Sequence, residues 1–240
     1  MGTSSSFGGP SKNPLLPDDY NDNSWKNAKM EFGKYMNNSG GNLSSLFGKY
    51  VKASGGAKAL ANSSIGGKVG FSGINDFITQ VNDIGLKATL DSFRLSSEGK
   101  TLDEALSELA GIIAPIGKSK EEAVARKATI DTMMTFYDMI DERNLDIEEA
   151  NSISSEFIDD LLCEYLKNYI TGLLLKDLGY GVEKYVEDPE TLSLKEQELR
   201  DFVDSKIYVM LKNSQLNQPT AKIIDTVFEG VMEIIGGNYE

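Results

Sequence analysis

Apolar residues recur along the chain at intervals of three and four, and no stretch alternates convincingly with a period of two. Ile74, Phe77, Ile78 and Val81 fall on one face of a helix predicted from Gly73 to Ile84, since a helix turns once every ~3.6 residues. A shorter helical stretch follows from Leu86 to Leu95. Thr101-Leu102-Asp103-Glu104 has the form of a capping box, in which hydroxyl and carboxylate each satisfy a free backbone N–H. The helix it opens carries Leu102, Ala105, Leu106, Leu109, Ile112 and Ile113 on one face and stops at Pro115. Ser119-Lys120-Glu121-Glu122 repeats the box and opens a long helix to about Glu142, with Val124, Ile130, Met134, Tyr137 and Ile140 predicted as its buried face. The next helix starts at Asp146 or Ser152, runs through Phe157, Leu161, Leu162, Tyr165, Leu166, Ile170 and Leu173, and ends near Gly179. Ser193 to Asn213 and Thr220 to Ile235 complete the series.

Upstream the pattern loosens. Trp25, Ala28, Phe32, Tyr35 and Met36 suit a helix from Ser24 to Asn37 capped by Ser24. Leu46, Phe47, Tyr50 and Val51 mark another from Leu43 to Ala53. The stretch GGAKALANSSIGGKVG, Gly55 to Gly70, is dense in glycine and small residues, and residues 1–70 hold 12 of the 23 glycines. Residues 1–18 are rich in Gly, Ser and Pro, lack periodicity, and read as a mobile tail. The expected fold is all-α: a single helical domain of about seven to nine helices with an extended tail. Its parts are the tail over 1–18, a Gly-rich transitional helical segment over 19–70, and an all-helical body over 71–240.

Two counts narrow the chemistry. The 240 residues include no histidine and one cysteine, Cys163. No disulfide can close within the chain, zinc sites built on His or several Cys are excluded, and Ser-His-Asp or Cys-His catalysis cannot be completed. A site made only of carboxylates survives, but the composition leans away from an enzyme. Net charge is −13. Residues 1–70 carry eight Lys against four acids, a net +4, so the remaining 170 residues carry −17. Such an acidic surface disfavours broad adhesion to nucleic acid or anionic lipid. The most hydrophobic stretch, Ile153 to Leu178, is interrupted by Glu156, Asp159, Asp160, Glu164, Lys167, Lys176 and Asp177, so no membrane span is expected. With no secretory h-region either, the expected compartment is the cytoplasm.

Several local patterns have a plain reading. Gly111 to Ser119 resembles a phosphate-binding loop, yet five residues separate Gly111 from Gly117 where the motif has four. It also follows a helix rather than a strand, so it reads as a helix stop before the Ser119 cap. The carboxylate pairs Asp159/Asp160, Glu148/Glu149 and Asp138/Asp141 read as a solvated acidic face rather than a metal or acid–base site. Met133, Met134 and Met139 read as core filler, and Cys163 as a small buried hydrophobe.

The first residues differ in kind. Met1-Gly2-Thr3-Ser4-Ser5-Ser6-Phe7-Gly8-Gly9-Pro10 is followed by Asn13-Pro14-Leu15-Leu16-Pro17. Removal of Met1 leaves the Gly2 α-amine, whose pKa of about 7.7–8.0 keeps a nucleophilic fraction at physiological pH. Glycine and the small residues after it can thread a narrow pocket, and the prolines stiffen the base of the segment. Three readings stay open on composition: a substrate tail for a modifying enzyme, N-myristoylation through Gly2 and Ser6, or a disordered tail without a role of its own.

The opening MGTSSSFGGP, the NPLLP element and the later GGAKALANSSIGGKVG together resemble the B proteins of bacterial Qat anti-phage defence operons. That family opens MGTS-S-x-GGP, continues to a PLLP element, and later carries a GGA-(K/R)-A stretch. The resemblance is most specific over residues 1–17 and extends over 55–71. It implies a non-catalytic component of a defence complex whose partners are a QueC-like protein (C), an ATPase (A) and a TatD-like nuclease (D). It further implies that the QueC-like partner uses ATP and a 7-deazaguanine precursor to conjugate a 7-deazaguanine to the Gly2 amine. Thr3, Ser4, Ser5, Ser6, Phe7, Gly8, Gly9 and Pro10 would enter the partner's active site, and Pro14, Leu15, Leu16 and Pro17 would dock at its mouth. This chain would hold no cofactor or metal. The alternatives are an unmodified adaptor linking the QueC-like protein to the ATPase, with the tail as a docking peptide only, a lipidated or membrane-perturbing effector, and a carboxylate-based enzyme.

Overall fold

A computed structural model describes residues 23–95, 100–142, 155–180, 186, 188–211 and 221–237. Among them are ten α-helices and no strand. They are α1 (Ser24–Met36), α2 (Leu43–Ala53), α3 (Ala57–Ser63), α4 (Ile65–Ile84), α5 (Leu86–Ser92), α6 (Leu102–Ile113), α7 (Lys120–Glu142), α8 (Ser155–Leu178), α9 (Pro189–Leu211) and α10 (Ala221–Ile235). The all-α class is as expected.

The cap chemistry sets many of the starts. Thr101 N–H donates to Glu104 at 3.1 Å before α6. Ser119 N–H donates to Glu122 at 3.0 Å while Glu122 N–H donates to Ser119 Oγ at 3.0 Å, both halves of the predicted box. Asn42 caps α2 by accepting from Ser45 N–H at 2.8 Å. In α1 the cap position falls on Asn23, with Ser24 as the first helical residue. Helix α9 opens four residues before the predicted Ser193, because Asp188 accepts from Thr191 N–H at 2.9 Å and Pro189 suits a first helical position.

One core takes residues from all ten helices. Tyr169 of α8 meets Glu121 of α7, and Phe157 meets Phe136, so α7 and α8 run antiparallel. Helix α4 lies beside both, with Gly67 near Glu121 and Phe77 edge-on to Phe136 at 5.4 Å. Phe228 of α10 closes this layer against Phe71 and Tyr169, both at 5.9 Å. Such offset and edge-on rings add stabilisation beyond the area they bury. The α1–α2 hairpin joins through Phe47, stacked on Phe202 of α9 at 5.2 Å, and through Tyr50, whose hydroxyl donates to Asp177 of α8 at 3.0 Å.

Two expectations need correction. Among the described residues there are ten helices where about seven to nine are expected, because the glycine-dense stretch forms α3 and the start of α4. Helix α4 begins at Ile65, eight residues before the predicted Gly73, and runs unbroken across residues 70 and 71. Helix α7 is also turned from its predicted face. It buries Ala125, Ala128, Thr129, Thr132, Met133, Phe136 and Ile140. Met134 is 63% exposed, whereas Val124, Ile130 and Tyr137 are half-buried against the core. The small face lets α7 approach α4 and α8 closely. Thr129 and Thr132 satisfy their hydroxyls by donating to the carbonyls of Ala125 and Ala128, at 2.9 and 2.7 Å.

Candidate functional site

Gly2, Thr3 to Pro10 and Pro14 to Pro17 lie outside the described residues, as do Glu148 and Glu149. What the body offers is the environment of the glycine-rich stretch and the surface where the N-terminal segment joins α1.

The glycine-rich stretch is built into a polar junction. Gly56, with φ +94, turns the chain from α2 into α3 in a backbone region that L side chains rarely adopt. Ser64 precedes α4 but donates its hydroxyl back to Leu60 O at 2.9 Å, so it does not cap the next helix. The first-turn N–H groups of Gly66 and Gly67 instead donate to the Glu121 carboxylate, at 3.0 and 2.8 Å. Tyr169 OH donates to the same carboxylate at 2.6 Å, and Tyr165 OH donates to Gly67 O at 2.7 Å. A Cβ at Gly67 would overlap the Tyr169 ring, and one at Gly70 would overlap the Tyr165 hydroxyl. Burial pushes both tyrosine hydroxyls well above their ordinary range, and the neighbouring Glu121 carboxylate pushes the same way. Glu121, Tyr165 and Tyr169 were not singled out from sequence as a unit. Their only local sign is that the two tyrosines stand four apart and the carboxylate sits in a helix first turn.

A second feature is a groove of about 560 Å³ between α7, α8 and α9. Val124, Ala128, Gly172 and Leu175 form its apolar floor, and Lys120, Lys127, Lys176 and Arg200 stand around it with Asp131 and Glu196. Lys127 pairs with Asp131 at 2.7 Å, Lys176 with Asp177 at 3.3 Å, and Arg200 donates to the buried Asn168. With Asp177 beside Lys176, four cations face three carboxylates, so this surface keeps a small positive excess on a chain of net charge −13. The junction with the N-terminal segment is close by. Trp25, in the first turn of α1, sits edge-on to Tyr50 at 6.1 Å, and Tyr50 bonds to Asp177, the neighbour of Lys176. Lys29 lies there too; burial lowers its pKa and Asp177 partly restores it.

The other sequence candidates fall as follows. The segment Gly111 to Ser119 ends α6 and leads to α7, and Arg126 donates to Pro115 O at 3.3 Å. Asp138, Asp141 and Asp160 are exposed. Asp159 is half-buried, and desolvation followed by repulsion from Asp160 raises its pKa. Among the described residues no three acidic or thiol groups converge on a point where a metal could sit. Cys163 is buried, and burial, reinforced by Asp204, Asp160 and Asp159, pushes its thiol up to about 12. Met133 is buried and Met139 partly so, while Met134 faces solvent and is not core filler. No described helix is long and apolar enough to cross a membrane.

A family model described as Qat anti-phage system associated protein QatB matches residues 55–235, well over half of the chain. The matched span starts at the turn into α3 and ends with α10. No curated protein and no solved structure matches the chain.

Proposed function

The chain belongs to the QatB family and is a component of an anti-phage defence system; from that premise we propose that it is the protein substrate of a QueC-like partner, which conjugates a 7-deazaguanine to the Gly2 amine. The family match supports a place in the defence system, and the resemblance of residues 1–17 is what supports the part assigned to the tail. Once Met1 is removed, the neutral fraction of the Gly2 amine attacks the acyl carbon of an adenylated 7-carboxy-7-deazaguanine held by the partner. The C–N bond forms, the acyl–phosphate bond breaks, AMP leaves with the bonding pair, and the amine gives up its proton. ATP and the deazaguanine precursor belong to the partner, as does the catalysis. Thr3 to Pro10 occupy the partner's channel and Pro14 to Pro17 its mouth.

The geometry of the body is compatible with this division of labour. Gly2 lies 21 residues before Asn23, a reach of up to about 70 Å in extended chain. The helical body is therefore a platform that can hold partners while Gly2 enters an active site at a distance. The QueC-like protein is the partner of the tail, and the ATPase and TatD-like nuclease are further candidates for the body.

Intact mass of the full chain tests the proposal, measured after expression alone and after co-expression with the whole operon. The expected result is the mass of a deazaguanine amide in the second sample only, placed on Gly2 by fragmentation. Substituting Gly2→Glu should abolish that mass and phage protection while leaving the circular dichroism of the body unchanged. An unmodified, Met-removed chain in both samples would sink the reading and favour an adaptor between the QueC-like protein and the ATPase.

A further inference from the structure

We infer that the groove between α7, α8 and α9 is a docking site for this chain's own segment Leu15–Asp19. The groove joins two chemistries, an apolar floor and a positive rim. Its ligand should therefore be a short chain with adjacent apolar side chains and a pair of acids at one end. Leu15-Leu16-Pro17-Asp18-Asp19 has that order, and it ends five residues before the start of α1 at Ser24.

The direction also fits. Helices α7 and α8 are antiparallel, and Gly172 faces Val124. One helical turn further along each, Lys176 and Lys120 therefore mark the same end of the groove. That is the end beside Asp177, Tyr50 and Trp25, where the N-terminal segment joins the body. Asp19 is four residues from Asn23 and Leu15 is eight, which gives about 14 Å and about 28 Å of extended chain. The segment therefore enters with Asp18 and Asp19 against Lys120 and Lys176, and lays Leu16 and Leu15 over Val124, Leu175 and Ala128. Pro17 has no N–H to leave unpaired on the apolar floor. Because the two parts share one chain, the effective concentration is in the millimolar range, and a weak contact suffices.

The inference concerns the protein alone and does not depend on conjugation of Gly2. If Pro14 to Pro17 are also what the partner holds, docking in the groove and capture by the partner exclude one another.

A spin label on Ser11 tests it in the full chain. The Ser11→Cys variant can be labelled selectively, because the thiol of Cys163 is buried with its pKa pushed up to about 12. The methyl signals of Val124 and Leu175 should be broadened by the label. The variant Asp18→Lys/Asp19→Lys, which leaves the body untouched, should lower the docked population about fivefold. Adding Lys120→Glu/Lys176→Glu to it should restore the broadening. Absence of broadening, or broadening that Asp18→Lys/Asp19→Lys leaves unchanged, would overturn the proposal. So would broadening seen only when a labelled chain is mixed with an unlabelled one, which would mean the occupant is a second copy.

Discussion

Glu121 supplies from another helix what a Ser or Asp cap supplies locally. Its carboxylate accepts from two first-turn N–H groups of α4, 54 and 55 residues away, at the end where the helix dipole is positive. Ser64 occupies the local cap position, but its hydroxyl is committed to the carbonyl of Leu60. With Tyr169 as a third donor, the carboxylate is satisfied and the donors are not orphaned. Hydrogen bonds to a charged acceptor contribute more than neutral ones, so Glu121→Ala should destabilise the fold by about 2–3 kcal/mol. Glu121→Gln, which keeps an acceptor, should cost about half of that. Urea denaturation of the full chain measures both, and amide exchange at Gly66 and Gly67 should quicken in parallel. An unchanged midpoint in Glu121→Ala would mean that water or Ser64 replaces the carboxylate.

The first turns of α4 show how an element can contradict its own composition. Glycine disfavours a helix by about 1 kcal/mol relative to alanine, so Gly66, Gly67 and Gly70 argue locally against one. The helix forms there because only a residue without a side chain lets the Tyr165 and Tyr169 rings lie against its backbone. Gly67→Ala should therefore destabilise by about 1–3 kcal/mol through overlap with Tyr169, despite its better helix propensity. Gly111→Ala is the matched comparison: a Cβ there has Arg126 Nη2 at 3.7 Å as its nearest neighbour, and the change should stabilise by about 0.5–1 kcal/mol. Two shifts of the same sign in thermal unfolding would refute this account. The same contrast explains what could be read from the sequence. Ile112 of the face predicted for α6 is 54% exposed, but the caps at Thr101 and Ser119 and the buried Ala105, Leu106 and Leu109 follow from local spacing. The face of α7 did not, because Met134 outweighs Ala128 in hydrophobicity whereas close approach to α4 and α8 requires the smaller residue. The groove was equally invisible, since Lys120, Lys176 and Arg200 come from three helices and share no local pattern. The tail residues stood out for the opposite reason, as a run with no helical period.

At the scale of the whole molecule, the absence of histidine leaves a gap in the titration curve. On the acid side, Glu31 and Glu198 have lowered pKa values. For Glu31 the first cause is its bond from Lys49, with desolvation opposing, and for Glu198 its bond from Tyr35. A lowered folded pKa means that the unfolded chain binds protons first, so the stability these groups supply is present above about pH 4.3 and lost as pH falls through their folded values. Asp159 works in reverse. Its raised pKa removes stability as pH rises through the carboxylate range, and protonating exposed acids on a chain of −13 relieves repulsion. The acid decline therefore starts late. On the alkaline side, Cys163 is pushed up to about 12, and burial raises Tyr35, Tyr50, Tyr165 and Tyr169. A raised folded pKa gives stability that is full below the unfolded value, so loss begins near pH 8.5 for the thiol and near pH 10 for the tyrosines. The urea midpoint should accordingly stay level from about pH 6 to 8, fall below about pH 4, and fall again above about pH 9. Glu31→Gln should flatten the acid limb alone, and a step between pH 6 and 7.5 would contradict the assignment of these groups.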